Sequence, residues 1–218
     1  MNVLIAGAGR LGTRVAQVLK AAGNEVTVVD VDEERVDALH GRCDARLLVG
    51  DAAEQAVQSR AGAAHADLVI AATGRDEDNL VISYVAKRHF AAPRVVARVN
   101  DDDNAWLFDH HWGVDIAVPS ATPLVSLIEE ATGAADTVAL LRLSTAGIGI
   151  IETAITGRSK AAGRLLGDIE LPEGTLVATV VRGGNPTAPS PSMRLEPGDE
   201  LLLVSHSAQE RDIHAAFQ

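Results

Sequence analysis

The chain has 218 residues, of which 47% are hydrophobic and 22% are charged, values that are typical of a globular protein with one or two domains. Its formal net charge of −11 and its aromatic content of 3% argue against a nucleic-acid partner and against direct binding to an anionic membrane. The apolar stretches fall far short of the ~20 residues of a membrane span and no signal-peptide pattern is visible, so we expect a cytoplasmic protein without direct membrane insertion.

Six short apolar runs, rich in β-branched residues, predict strands in the first part of the chain. Their continuous apolar character indicates strands that are covered on both faces. The runs lie at residues 2–6, 25–30, 46–49, 67–72, 94–99 and 114–119. Helical patterns lie between them, so the sequence predicts an α/β fold with a Rossmann-like, doubly wound parallel sheet.

Two of the intervening helices carry clear signals. The segment 9–23 ends at Gly23, which suits a helix C-terminus, and places four apolar residues on one stripe that we expect to face the sheet. These four are Leu11, Val15, Val18 and Leu19. The segment 75–90 begins with acidic residues and ends with Lys87, Arg88 and His89, in agreement with the helix dipole.

A glycine fingerprint lies between the first strand and the first helix. Gly7 allows the tight turn, Gly9 lets the backbone approach a pyrophosphate, and Gly12 permits close packing of the helix on the strand. Asp30 ends the second strand, where a carboxylate can accept hydrogen bonds from the hydroxyls of an adenosine ribose. The combination predicts a dinucleotide or adenine-nucleotide site; a Rossmann domain without a ligand is the alternative.

A catalytic site is not visible beside this nucleotide site. A dehydrogenase needs an acid–base group near the nicotinamide. The candidates in the second part of the chain are His206, His214 and Lys160, which we place in a surface helix or a loop, and Tyr84 is not part of a Tyr-x-x-x-Lys pair. We therefore expect a binding protein and not an enzyme, with a small NAD-dependent oxidoreductase as the alternative.

One acidic and histidine-rich segment resembles a metal site. Its candidate ligands are Asp101, Asp102, Asp103, Asp109, His110 and His111. We interpret the three aspartates as the N-cap and first turn of a helix, with the two histidines at its C-terminus, about 100° apart around the helix axis. The sequence thus predicts no metal site here.

Six motifs, in order and with matching spacing, resemble the RCK (regulator of potassium conductance) family, in particular its TrkA-type potassium uptake regulators. They are "VLIAGAGRLG", "VVDVDEERV", "VGDA", "AATGRDEDNLVISYVAK", "VVARVND" and "GVDIAVP". The second part of the chain resembles the small α+β regulatory domain of that family through "GRLLGDIELPEG", which we expect to turn into a helix, "VVRGG" and "LEPGDELLLV". The resemblance implies an N-terminal nucleotide-binding domain at 1–133 and a C-terminal domain at 134–218.

The resemblance also implies roles for particular residues. The phosphates would lie on the turn formed by Gly7, Ala8, Gly9, Arg10 and Leu11. Asp30 would hold the ribose, Asp51 and Ala52 would lie near the adenine, and Thr73 and Gly74 would line the far side. Arg98 would reach toward a phosphate; its alternative is an ion pair with one of Asp101–Asp103.

The implied function is that of a regulatory subunit which gates a Trk- or Ktr-type potassium-translocating membrane subunit. The ligand would be NAD or NADH, with ATP or ADP as the alternative, and the residues do not establish a second ligand, such as a cyclic dinucleotide, in the C-terminal domain. The family implies homodimers that assemble into a larger ring, built partly by the segment 119–133, in which Leu124, Leu127 and Ile128 form an apolar stripe. The alternative for this segment is a helix that packs on its own domain.

Overall fold

The computed structural model describes residues 1–133, 135–143 and 147–218. The chain divides into a first unit, Met1–Ala121, and a second unit, Thr122–Gln218. The boundary that the sequence suggests after residue 133 stays a prediction. None of the helices in the described ranges is long and apolar enough to cross a lipid bilayer.

The first unit contains a parallel sheet of six strands in the order β3-β2-β1-β4-β5-β6. The strands are β1 (Asn2–Ala6), β2 (Glu25–Asp30), β3 (Arg46–Val49), β4 (Leu68–Ala71), β5 (Arg94–Val99) and β6 (Ile116–Pro119). The predicted Rossmann-like fold class is confirmed, because strand order reverses next to β1 and the connections between the strands carry helices.

Successive residues along these strands belong alternately to two separate apolar clusters. Leu4 and Val69 belong to one cluster, while Ile5 and Val28 belong to the other. Successive side chains of a strand point to opposite faces, so both faces of the sheet are covered. This is why the strands read as continuous apolar runs in the sequence.

Four α-helices connect the strands of the first unit. They are α1 (Arg10–Ala21), α2 (Glu33–Asp37), α3 (Gln55–Ala61) and α4 (Asp76–Arg88). The predicted apolar stripe of α1 is partly wrong. Leu11 and Val18 are exposed, and the fully covered residues of this helix are Gly12 and Ala16. Small residues one turn apart let the backbone of α1 approach the sheet. The larger side chains of α1 then lie to either side of this contact and not in it.

The described residues of the second unit form an antiparallel sheet of five strands in the order β10-β9-β11-β8-β7, together with two α-helices. Its elements are α5 (Thr122–Thr132), β7 (Thr137–Leu143), β8 (Ile148–Ala154), β9 (Thr175–Arg182), β10 (Asn185–Thr187), β11 (Asp199–Ser205) and α6 (Glu210–Phe217). The buried side chains of Leu201 and Leu203 on β11 share a core with Ile213 and Phe217 on α6. The small α+β domain is thus confirmed, although "GRLLGDIELPEG" forms only a 3₁₀ turn, Leu166–Asp168, and not the expected helix.

Candidate functional site

A cavity of about 510 Å³ lies at the carboxyl ends of the central strands of the first unit. This is the edge where open parallel sheets bind ligands. Nine of the twelve predicted binding residues line it: Gly7, Gly9, Arg10, Asp30, Asp51, Ala52, Thr73, Gly74 and Arg98. The other lining residues were not predicted from the sequence: Val29, Val31, Arg35, Gly50, Ala72, Arg75, Asp78 and Ile82.

Two of the fingerprint glycines are required by the close packing of the turn. Gly7 has a φ of +110°, and a Cβ there would lie 2.7 Å from the carbonyl oxygen of Ala72. A Cβ on Gly12 would lie 1.9 Å from the carbonyl oxygen of Gly7. Both contacts involve backbone atoms that cannot rotate away, so a side chain at either position would force the backbone of the turn to shift.

Gly9 differs from its two neighbours in the fingerprint. A Cβ on this residue would meet no atom within 4 Å, and its φ of −67° is open to any residue. It precedes α1 and lines the cavity, so the first unpaired N–H groups of that helix are near an open space. Folding does not require glycine here, and its lack of a side chain leaves the backbone open toward the cavity.

Asp30 is buried beside the glycine turn and already has two partners. Its Oδ2 accepts a hydrogen bond from the N–H of Ala8 at 2.6 Å, and its Oδ1 accepts from the N–H of Asp32 at 2.9 Å. Ala8 therefore contributes to the site through Asp30 and does not line the cavity. Because a carboxylate oxygen has more than one lone pair, Asp30 can still accept hydrogen bonds from ligand hydroxyls.

Two predicted residues, Leu11 and Gly12, do not line the cavity. Leu11 is exposed on α1, and Gly12 is buried where the helix meets the turn. Gly12 contributes to the placement of α1 on the turn.

Four arginines surround the cavity: Arg10, Arg35, Arg75 and Arg98. Arg35 forms an ion pair with Asp32 at 3.1 Å, and Arg75 forms one with Glu77 at 2.5 Å. In the part of the chain that the structure describes, the Nε of Arg98 is buried and has no hydrogen-bond partner. An unpaired buried donor on a cation is costly, so an anionic group in the cavity would relieve it.

Asp76, at the start of α4, fixes the chain that follows β5. Its carboxylate accepts hydrogen bonds from the N–H of Asn100 at 2.6 Å, the N–H of Asp101 at 3.0 Å and the side-chain amides of Asn100 and Asn104, each at 3.0 Å. Burial raises the pKa of Asp76, but the bonds from Asn104, Asn100 and Asp101 outweigh it and hold this pKa below its usual range. The sequence indicated an acidic helix start here, but not this role.

Asn79, one turn further along α4, connects two lining residues. It is fully buried, and its Oδ1 accepts hydrogen bonds from the N–H and the hydroxyl of Thr73 at 2.9 and 2.7 Å. Its Nδ2 donates to the carbonyl oxygen of Arg98 at 2.9 Å. Asn79 was not identified from the sequence, because its partners lie on two other segments of the chain.

The acidic and histidine-rich segment does not form the predicted helix. Asp101 caps a 3₁₀ helix at Asp102–Leu107, and Asp109 caps a second one at His110–Trp112. The two 3₁₀ helices are separated by Phe108 and Asp109, so no continuous helix forms. The centroids of the two histidine rings lie 3.9 Å apart, so the expected separation of about 100° around one helix is wrong. The ligand atoms of Asp109, His110 and His111 lie within 4.8 Å of one another, and the absence of a metal site stays a prediction.

Comparison with known families identifies both parts of the sequence. The family model described as TrkA-N domain matches residues 3–120, and the model described as TrkA-C domain matches residues 150–218. A Trk system potassium uptake protein TrkA from Mycobacterium tuberculosis is 37% identical over 213 residues, which cover 98% of this chain and 96% of the relative.

Solved structures of GsuK share the fold. A GsuK channel bound to NAD superposes with a TM-score of 0.60 at 19% identity, over 99% of this chain and 39% of that one. A GsuK structure bound to ADP has a TM-score of 0.51 at 26% identity, over 60% of this chain and 34% of that one. The chain therefore spans well under half the length of these GsuK chains.

We expect Asp76→Asn to lower the free energy of unfolding by about 2 kcal/mol near neutral pH, because an amide cannot accept the full set of hydrogen bonds. The pKa of Asp76 is lowered in the folded state, so the ionised carboxylate stabilises the protein above its ordinary pKa of 3.8. This stabilisation is lost as the pH falls through the lowered pKa. Denaturant unfolding at a series of pH values should therefore show the two proteins converging in acid, whereas the exposed-site control Glu77→Gln should change little. A difference that grows in acid would contradict the assignment.

Gly12→Ala and Gly9→Ala should differ sharply in stability although they lie in one turn. Overpacking at Gly12 should cost about 1–3 kcal/mol or more, because the new methyl group meets the backbone of Gly7. Gly9→Ala should change the free energy of unfolding by about 1 kcal/mol or less, since the space around it is open. Thermal and denaturant unfolding measure both, and equal losses would show that the packing argument is incorrect.

Proposed function

The chain belongs to the TrkA family of potassium uptake proteins, and on this premise we propose that it is a nucleotide-sensing regulatory subunit of a potassium transport system. In this proposal residues 1–133 bind the nucleotide and residues 134–218 form the regulatory C-terminal domain. The observation that carries it is the cavity at the carboxyl edge of the first sheet, with an open glycine on one side and the unpaired Nε of Arg98 near the other.

Charge and shape of the cavity support an adenine nucleotide. The glycine turn and the start of α1 offer backbone N–H groups to phosphates, and four arginines supply positive charge. Asp30 lies at the end of β2, where a ribose hydroxyl can reach it. Asp51 and Ala52 follow β3 on the same edge and would contact the adenine.

NAD or NADH is our first candidate, and ATP or ADP is the second. Asp30 would repel a 2′-phosphate, which argues against the NADP form. The adenosine and phosphate groups are common to both candidates, so the same residues serve either. The two GsuK structures fit this range, since one is bound to NAD and the other to ADP.

The residues that line the cavity favour nucleotide binding over catalysis of hydride transfer. Its lining, as far as the structure describes it, contains no histidine, lysine, tyrosine or cysteine. A dehydrogenase usually places one of these residues close to the nicotinamide as its acid–base group. The nucleotide would be sensed without being converted.

Sensing requires that the ligand bind two arrangements of the protein with different affinity. We propose that nucleotide binding shifts the relative angle of two paired nucleotide-binding domains, and that this change gates a Trk- or Ktr-type potassium-translocating membrane subunit. The protein would thus lie in the cytoplasm, held at the inner face of the membrane through that partner.

Exposed apolar surface supports assembly into dimers and a larger ring. Leu124, Leu127 and Ile128 lie at helical spacing on α5, and each has more than half of its surface exposed. In the first unit, Tyr84 and Trp112 pack edge to face and are both exposed. A ring of dimers needs two different contact surfaces, and these two faces would provide them.

Nucleotide binding should raise the melting temperature of the wild-type protein. At a ligand concentration of 100 times Kd the added stability is about 2.7 kcal/mol. We expect this shift with at least one of NAD, NADH, ATP and ADP, and we expect it to disappear in Gly9→Ala, where a methyl group occupies the space of the phosphates. Gly157→Ala, an equally unobstructed glycine of the second unit, is the matched control and should keep the full shift.

Two results would contradict the proposal. One is the lack of any shift with all four nucleotides in the wild-type protein. The other is turnover of NADH with a carbonyl substrate, followed by its absorbance, which would favour the oxidoreductase alternative.

Assembly should depend on the apolar face of α5. We expect Leu127→Glu combined with Ile128→Glu to reduce the oligomer that light scattering detects in the wild-type protein, because two buried charges at an interface cost several kcal/mol. Val18→Glu is the matched control for the single variant Leu127→Glu, since both residues are 52% exposed. A wild-type protein that stays monomeric with and without nucleotide would rule out the ring.

A further inference from the structure

β4 and β5, which border one side of the cavity, do not end at the same point along the sheet. β4 pairs with β5 as far as Ala71 and Ala97, after which β4 ends while β5 continues to Val99. The carbonyl oxygen of Arg98 therefore lies beyond the last residue that β4 can offer. A buried carbonyl oxygen needs a donor, and the chain must supply one from elsewhere.

Asn79 supplies this donor and replaces the missing strand residue. Its carboxamide donates to Arg98 and accepts from the N–H of Thr73, so it bridges the two diverging segments as a peptide group would. The same oxygen also accepts the hydroxyl hydrogen bond of Thr73, which fixes that side chain. The carboxamide carries its donor and its acceptor on two separate atoms, whereas leucine has neither and serine has a single hydroxyl.

The positions of Thr73 and Arg98 depend on this bridge. Asp76 holds the backbone of Asn100 and Asp101, so the chain after β5 is fixed on one side of Arg98. Asn79 fixes the carbonyl of Arg98 itself. Arg98 lines the cavity, and its Nε has no hydrogen-bond partner among the described residues, so its position depends on the backbone that carries it.

We infer that Asn79 is a positioning residue for the phosphate side of the cavity, which it does not line. It sets the distance between Thr73 and Arg98, and it acts through them on the phosphates of the ligand. This assignment rests on the proposed nucleotide function. It predicts that Asn79 matters for the phosphates of a nucleotide and not for its adenosine part, which lies against Asp30, Asp51 and Ala52.

The test compares ADP with adenosine on the full chain. In Asn79→Leu, which removes the bridge without adding charge, we expect the affinity for ADP to fall at least tenfold, measured by isothermal titration. The affinity for adenosine, measured by competition or by thermal shift at high concentration, should change less than threefold. The ratio of the two affinities is the decisive readout, because a general loss of folded protein lowers both affinities alike.

Ser83→Ala is the matched control. Ser83 is as deeply buried as Asn79 on the same helix, and its hydroxyl donates to the backbone carbonyl of Asn79 at 2.7 Å, but it does not reach Thr73 or Arg98. Its removal should leave both affinities and their ratio unchanged. If Asn79→Leu does not fold, Asn79→Ser, which is smaller and polar, makes the same comparison.

The outcomes separate this assignment from the proposed function. If the wild-type protein binds ADP and the folded Asn79 variants keep the wild-type ratio, the assignment is incorrect while the function stands. Equal loss of ADP and adenosine binding would also overturn it, in favour of a purely structural role. A wild-type protein that binds none of the four nucleotides would overturn the proposed function and this assignment with it.

Discussion

The approach of Gly12 to the carbonyl oxygen of Gly7 determines how closely the first helix lies on the sheet. A side chain at either position would push the helix outward, and the turn between them would no longer bring its N–H groups to the edge of the sheet. Asp30 strengthens the same arrangement by accepting the N–H of Ala8. One side of the cavity is therefore shaped by backbone contact, and it leaves Gly9 as the place where a ligand can come nearest.

The opposite side of the cavity is built in another way. There β4 and β5 separate, and buried polar side chains of α4 form hydrogen bonds to the backbone of the segments at the ends of these two strands. Such bonds need exact partners, since a buried group left without one is costly. One side of the cavity thus depends on glycines that have no side chain. The other side depends on two particular side chains, those of Asp76 and Asn79.

The sequence allowed much of this fold to be predicted, because the relevant signals are local. Glycine spacing, the acid at the end of β2 and the apolar runs each lie within one short segment. Asn79 and Arg75 were missed because their roles arise only when the fold brings separate segments together. The stripe of α1 was misjudged because small residues such as Ala16 carry little hydrophobic signal yet permit the closest packing. His110 and His111 were misplaced because two 3₁₀ helices replaced the expected α-helix, and no residue between them marks that break clearly.

The aromatic residues described near the end of α4 have an optical consequence. The chain has two tryptophans and one tyrosine, and all three, Trp106, Trp112 and Tyr84, belong to the first unit, while the second unit has only Phe217. The tryptophan and tyrosine emission of this protein consequently comes from the first unit alone. The antiparallel sheet has no tryptophan or tyrosine of its own, so its melting is followed directly by far-ultraviolet dichroism or amide exchange.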